Sequence, residues 1–228
     1  MKKLSLIFMM IILIVAGIGS WNWYESISNK GDRHNVNQED SYDNGRDEHL
    51  FGKHMYLDAK VDEFDHLEDV EATADEIVVA KKIAQDEPTI LYGKEDRIDI
   101  EYTLSTFRVQ KSISGAQLKQ GETFTMLENE AYDKKQDVTY HIAGYNLIDE
   151  EKDYLLFLRK SETDPYYIVA GINYGKVDLE REQTDYPEIL RKSSTEYSKE
   201  IISAYNHQEQ IRQEAKNKYA ATISEFVQ

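Results

Sequence analysis

The sequence IDIEYTLSTFRVQKSI, residues 98–113, decides the fold class because apolar and polar residues alternate along it. Its apolar residues occupy even positions as far as Leu104 and odd positions from Phe107 onward. Successive side chains of a strand point to opposite faces, so one regular strand cannot keep both sets on a single face. We therefore predict a long strand with a bulge near Ser105 and Thr106, of the kind that bends strands into small closed barrels.

Strand patterns continue on both sides of this stretch. The runs of strand length are residues 77–80 (IVVA), 123–127 (TFTML), 138–142 (VTYHI), 153–158 (DYLLFL), 166–170 (YYIVA) and 174–179 (YGKVDL). Residues 154–158 are apolar without interruption, which indicates a strand that is buried on both faces at a central place in the sheet.

Helical patterns flank the strands. Apolar residues recur every three positions from Val61 to Val70, which predicts a short amphipathic helix ending near Ala74. Beyond Pro187 the chain holds neither Gly nor Pro, and apolar residues at helical spacing predict a helix of about 30 residues. We expect its apolar face to pack on the strands; the alternative is a stripe that binds a partner helix or a second copy.

This order of elements predicts a mainly β protein with flanking helices, of the α+β class, built on a small coiled β-barrel. The predicted domains are a signal peptide or membrane anchor at residues 1–24, a disordered stalk at 25–56, the barrel with its leading helix at 57–182, and a C-terminal helix at 183–228.

The N-terminus predicts export. Two lysines precede the apolar run LSLIFMMIILIVAGI, residues 4–18, and should stay in the cytoplasm. Gly17 and Gly19 offer small residues for cleavage, but no A-x-A site is present. Continued through Trp21 and Trp23, this hydrophobic helix nears the ~20 residues that span a bilayer. We expect a single N-terminal anchor in the cell membrane with the rest of the chain outside; the alternative is a cleaved signal and a secreted protein.

The chain contains no cysteine, which excludes disulfides, cysteine zinc sites and thiol catalysis. Exported proteins without disulfides are typical of Gram-positive cell surfaces, and we favour that setting. The segment before the barrel, residues 25–56, is polar and has no apolar period, as in a disordered stalk.

The charge of the chain restricts its partners. It carries 43 Asp and Glu against 27 Lys and Arg, a formal net charge of −16. Nucleic-acid binding depends on basic contacts to phosphates, so no nucleic-acid partner is expected. The expected partner is a protein or a component of the cell envelope, with the membrane contacted through the N-terminal segment.

Four segments carry a resemblance to a known family. They are residues 74–81 (ADEIVVAK), 102–111 (YTLSTFRVQK), 121–126 (GETFTM) and 154–158 (YLLFL). Together they resemble OB-like barrel domains of the tissue-inhibitor and netrin type, as found in exported bacterial proteins. The resemblance covers residues 74–179 and implies an OB-like barrel. Metalloprotease inhibition in the tissue-inhibitor family requires a free N-terminal cysteine, which this chain lacks, so that activity is not carried over.

Motifs for catalysis and metal binding are missing from the sequence. There is no H-E-x-x-H, G-x-S-x-G or phosphate-binding G-x-x-x-x-G-K-[ST] motif. His49 and His54 are interpreted as solvated residues at the end of the stalk. A calcium-loop pattern beginning at Asp40 fails at Tyr42 and Phe51, where ligands should stand. We predict no catalytic residue, metal or cofactor.

Sixteen tyrosines suggest recognition, although most occupy strand positions where an aromatic ring simply fits the pleated surface. Tyr132 and Tyr145 fall in predicted loops and are the candidate recognition residues. The predicted function is a non-catalytic interaction module outside the cytoplasm. The alternatives are a carboxylate-based hydrolase of envelope polymers and an inhibitor of an extracellular protease.

Overall fold

The computed structural model describes residues 52–57, 59, 62–94, 98–180 and 196–227, with the backbone alone for 196–202. All of them belong to one compact unit, Gln38–Gln228. The predicted anchor or signal at residues 1–24 lies outside the described residues. Within the described ranges, no helix has the length and apolar character needed to cross a membrane.

The elements follow the order helix, strands, helix, preceded by one additional strand. The strands are β1 (Lys53–Leu57), β2 (Glu76–Gln85), β3 (Thr89–Tyr92), β4 (Ile98–Ser114), β5 (Thr123–Glu128), β6 (Glu130–Asp133), β7 (Val138–Ile142), β8 (Asp153–Lys160), β9 (Tyr167–Val169) and β10 (Lys176–Asp178). The helices are α1 (Leu67–Thr73), α2 (Glu196–Lys218) and α3 (Ala220–Ile223).

Five strands close into a barrel in the order β2, β4, β5, β9, β8 and back to β2. Every pair is antiparallel except β5 with β9, which is parallel. Closure depends on β9, which has only three residues and pairs with both β5 and β8. The predicted mainly β architecture with a closed barrel is confirmed.

The long strand β4 has 17 residues, but the predicted bulge within it at Ser105 and Thr106 is wrong. That part of β4 pairs with β5 in unbroken register. The nearby irregularity belongs to β2, where Ile83 is the extra residue between the pairs formed by Lys82 and Ala84. From residue 103 to residue 109 β4 keeps one phase, with its odd residues facing the interior and its even residues facing outward. The extra residues of β4 against β2 lie further along, at Gln110 and Ile113.

The barrel wall is apolar on both sides where β2 and β8 meet. Inside, Val78 and Leu156 belong to a buried cluster that fills the barrel. Outside, Val79 and Leu155 belong to a second cluster beneath the helices. Residues 154–158 are therefore buried on both faces, and β8 pairs with β2 along one edge and with β9 and β10 along the other, as predicted for a central strand.

Helices α1 and α2 cover this outer face. Leu67 and Val70 of α1 pack with Ile211 and Ala215 of α2 in one cluster with the β2 and β8 side chains. Packing of the C-terminal helix on the strands is thus confirmed. The helix α1 is shorter than predicted and begins at Leu67. At its start, the backbone N–H of His66 donates to the Asp69 carboxylate at 3.2 Å.

A separate three-stranded sheet has the order β1, β7, β6. β6 follows β5 after one residue and pairs antiparallel with β7, whereas β1 pairs parallel with β7. β1 begins at Lys53, so the last residues of the segment predicted as a disordered stalk form a strand.

Candidate functional site

Two regions concentrate the side chains that could serve a function. One is the polar end of the barrel interior, where charged side chains are fully buried. The other is the outer face of β3, β4, β5 and β9, which carries apolar side chains.

The polar end of the interior centres on Lys82, which points inward from β2 and is fully buried. Its ammonium donates to Glu128 Oε2 at 2.9 Å, to the carbonyl oxygen of Ile148 at 3.0 Å and to Gln85 Oε1 at 2.6 Å. An ammonium group has three N–H donors, so this one is fully used.

The partner carboxylate, Glu128, is also fully buried and saturated. Its Oε2 accepts the Ser105 hydroxyl at 2.5 Å as well as Lys82, and its Oε1 accepts the Ile148 N–H at 2.7 Å and the Tyr145 hydroxyl at 3.1 Å. Burial, and next the Glu128 charge, raise the pKa of Tyr145 well above its ordinary value. Such a satisfied network fixes the strands of the barrel; it holds no free nucleophile or base.

A second buried group lies beside it on β6 and β7. Glu130 and His141 are almost completely buried, with Glu130 Oε2 3.0 Å from His141 Nδ1. The other ring nitrogen, His141 Nε2, lies 2.8 Å from Nδ1 of His54 on β1. His54 is half-buried, so the interpretation of this residue as solvated was wrong. The groups form a chain that runs from a carboxylate through two imidazoles.

Neither group is arranged as a metal centre. Among the described residues, no cluster of three or more His, Asp or Glu side chains has a geometry that could hold a metal ion. The two groups together join side chains from β1, β2, β4, β5, β6 and β7.

The outer face of the barrel also presents apolar side chains in a region that none of the described helices covers. We call this set the outer apolar strip: Leu91, Ile100, Tyr102, Leu104, Leu127 and Ile168. Leu91 pairs directly with Ile100 across β3 and β4. Leu104 pairs with Leu127, which in turn pairs with Ile168 on β9, so the side chains follow one another across four strands.

The end of the strip on β3 and β4 is the most exposed. Leu91 retains 50% and Ile100 47% of its full exposure, and the only other large apolar residue this exposed among the described residues is Val227 at 40%. Scattered exposed apolar residues are ordinary, whereas large contiguous apolar patches mark interaction sites.

The loop after β8 extends this surface. Tyr166 is half-buried, and its pKa is raised first by that burial, then by Asp164, and to a smaller extent by Tyr102. Tyr166 lies two positions before Ile168 in the chain, and Tyr102 is itself a member of the strip. Their rings add broad apolar area with polar tips, which suits recognition.

The two tyrosines predicted for recognition lie elsewhere. Tyr132 is in strand β6, not in a loop; it is half-buried, and its hydroxyl donates to Asp137 at 2.7 Å. Tyr145 is in a loop but fully buried, with Lys176 Nζ 3.6 Å from its ring centre. A ring without exposed surface does not stack on an external ligand.

Sequence reasoning missed the buried charges Lys82, Glu128 and Glu130 and the role of His141. The available signal was in β4, where Thr103 and Ser105 share the phase of the core residue Phe107. Polar residues in the phase of the core need buried partners, and that requirement predicts a polar network inside the barrel.

A shallow cleft of about 440 Å³ lies between α1 and α2. Two of its lining side chains are already engaged, since Glu214 accepts the Leu67 N–H at 3.1 Å and Lys218 donates to Glu71 at 2.6 Å. Ligand sites are usually largely apolar with a few converging polar groups, and this cleft does not have that character.

No protein-family profile matches the sequence, and no curated protein matches it.

Proposed function

We propose that the chain is a non-catalytic interaction module that works outside the cytoplasm and binds a protein partner through the outer apolar strip. The observation that carries this proposal is the uncovered row of apolar side chains on β3, β4, β5 and β9. The charged groups inside the barrel favour a binding role over catalysis, because each of them is engaged in structural contacts.

The strand order supports an OB-like assignment of the barrel. Numbered along the chain within the barrel, the five strands follow the cyclic order 1-2-3-5-4, and strands 3 and 5 are the parallel pair. OB-folds are five-stranded Greek-key barrels that bind ligands on the face of strands 2 and 3 and on neighbouring loops. Those strands are β4 and β5 here, which carry the middle of the outer apolar strip.

The location of the module is proposed from the sequence. Residues 1–24 would hold the chain in the cell membrane with its barrel outside, or would direct its secretion. A Gram-positive surface fits an exported chain without cysteine. An apolar strip on a strongly acidic chain favours a protein partner with an apolar patch and a basic rim over an anionic envelope polymer.

Photo-crosslinking in intact cells tests the proposal. A photoreactive amino acid placed at Ile100 of the full chain should crosslink to one stoichiometric protein, and the same group at Val227, an exposed apolar position far along the chain, should not. The double variant Leu91→Ser/Ile100→Ser should lose that partner in a pull-down while keeping the stability of the parent.

Three results would contradict the binding proposal. Equal crosslinking from both positions would remove the strip as the contact surface. Turnover of a wall polymer by the pure chain would favour the hydrolase, and inhibition of an extracellular protease that survives the double substitution would favour an inhibitor that acts through another surface.

A further inference from the structure

His54 and His141 are joined end to end. His54 Nδ1 and His141 Nε2 are 2.8 Å apart, and the ring centres are 5.1 Å apart with a 26° angle between the planes. That centre separation is the one expected when two imidazoles lie in line through a straight N–H···N bond, rather than face to face. Tyr56 takes the face position, stacking on His141 at 4.7 Å and 16°.

The surrounding acceptors fix the protons of the pair. Nδ1 of His141 lies 3.0 Å from Glu130 Oε2 and 2.9 Å from the carbonyl oxygen of Tyr145, so it must carry a proton to share between them. In the neutral ring Nε2 then has a lone pair, which accepts the N–H from His54 Nδ1. The basic position left at the end of the chain is Nε2 of His54.

The charged and titratable groups around the pair come from three neighbouring elements. β6 supplies Glu130, β5 supplies Glu128 through the Tyr145 hydroxyl, and β1 itself supplies Tyr56. The Glu128 charge is already balanced by Lys82. Among the described residues, Glu130 therefore remains to balance positive charge on the two imidazoles.

We propose that the His54–His141 bond is an acid-sensitive latch that holds strand β1 on β7 at neutral pH and releases it when both imidazoles are protonated. β1 has five residues and, within the described part of the chain, pairs with β7 alone. Release would therefore free this strand from the second sheet.

The two protons have different effects. A first proton on His54 Nε2 leaves the N–H···N bond in place, with its charge opposed by Glu130. A second proton on His141 Nε2 removes the lone pair, so that two cationic donors face each other. Release therefore needs the second proton, because the bond requires one ring nitrogen without hydrogen.

The direction of the His54 titration agrees with such a latch. Burial, and next the neighbouring His141, lower the pKa of His54, while Glu130 opposes this in part. A lowered pKa in the folded state means that the unfolded chain binds more protons. The contribution of His54 to stability is therefore present above the ordinary histidine pKa of about 6.5 and is lost as the pH falls below it.

Hydrogen–deuterium exchange of the full chain between about pH 7.5 and about pH 4.5 tests the latch, because this range brackets the ordinary histidine pKa. After correction for the intrinsic pH dependence of exchange, protection of Lys53–Leu57 should fall about tenfold per pH unit for each proton taken up. The lowest protection of β1 is expected at the acid end, while β2 and β4 keep their protection.

Two matched variants separate the latch from general acid effects. His54→Phe keeps an aromatic ring but does not titrate. The protection of β1 from exchange should therefore not change with pH in this range, whether the strand stays paired or is released throughout. His66→Phe removes an exposed histidine at the start of α1 and should behave like the parent.

Three outcomes would overturn the latch. They are constant protection of β1 in the parent, the parent profile in His54→Phe, and loss of protection in β2 with the same profile as β1.

Discussion

The outer surface of the barrel has two apolar regions with similar residues, and the two regions differ in how deeply those residues are buried. On β2 and β8, Val79, Leu155 and Phe157 point outward and are fully buried beneath α1 and α2. On β3 and β4, Leu91 and Ile100 also point outward and keep about half of their exposure. The alternation of a strand shows which residues share a face, but only the elements packed on that face decide whether it becomes core or surface.

The largest expected effect is on the covered face. Phe157→Ala should lower the free energy of unfolding by about 3–5 kcal/mol, because it removes a fully buried ring that contacts Tyr219 and leaves a cavity. Ile100→Ala, on the uncovered face, should change it by no more than about 0.5 kcal/mol. Urea denaturation measures both, and equal losses would mean that the two faces are not energetically different.

The next prediction extends the comparison to the interior. Lys82→Met should lower the free energy of unfolding by about 3–5 kcal/mol, because Glu128 is left buried without its partner. Adding Glu128→Gln should recover part of that loss, since the buried carboxylate that lost its partner is then neutral. If the double variant is less stable than Lys82→Met, Glu128 contributes mainly through its bonds to Ser105, Tyr145 and Ile148.

A smaller effect on stability is expected from two similar tyrosine hydrogen bonds, one on the covered side of the barrel and one on an exposed part of the second sheet. The Tyr219 hydroxyl donates to Glu71 at 2.6 Å where the C-terminal segment meets α1, and burial, followed by the Glu71 bond, raises the pKa of Tyr219. Tyr219→Phe should lower the free energy of unfolding by about 1 kcal/mol. Tyr132→Phe removes a similar bond to Asp137 on an exposed part of the second sheet and should lower the free energy of unfolding by less than Tyr219→Phe does. Thermal unfolding compares the two, and a larger loss for Tyr132→Phe would contradict the assignment.

The sequence predicts the strands well where their surroundings are uniform. Residues 154–158 are apolar without a break because both faces of β8 are covered, and this burial is visible in the pattern itself. The C-terminal helix was likewise predictable, since Ile211 and Ala215 lie on its apolar face and pack on the strands.

The pattern is misleading in part of β4, where apolar residues face outward and polar residues face the interior. Ile100 and Leu104 are apolar and face outward, whereas Thr103 and Ser105 are polar and face inward. A bulge was the simplest way to keep every apolar residue in the core, but the polar inward residues have buried partners instead. The Glu130 carbonyl oxygen accepts the Thr103 hydroxyl, and the Glu128 carboxylate accepts the Ser105 hydroxyl. Its partners come from distant parts of the chain, so residue spacing alone does not reveal them.

Contacts between distant parts of the chain also decide the surroundings of the candidate site residues. Tyr145 has the residue type of a recognition site, but long-range packing buries it. His54 belongs to a polar segment, but the parallel pairing of β1 with β7 brings it to His141, 87 positions further along the chain.

The parallel strand β9 has a consequence for how the barrel is made. It joins β5 to β8 through three residues that come after every other barrel strand in sequence. During synthesis, β5 keeps an unpaired edge until Val169 has emerged, and unpaired edges are sites of aggregation. Truncation before Val169 should yield an open sheet that aggregates. Folding of the barrel is therefore complete only after one of its shortest strands has been made.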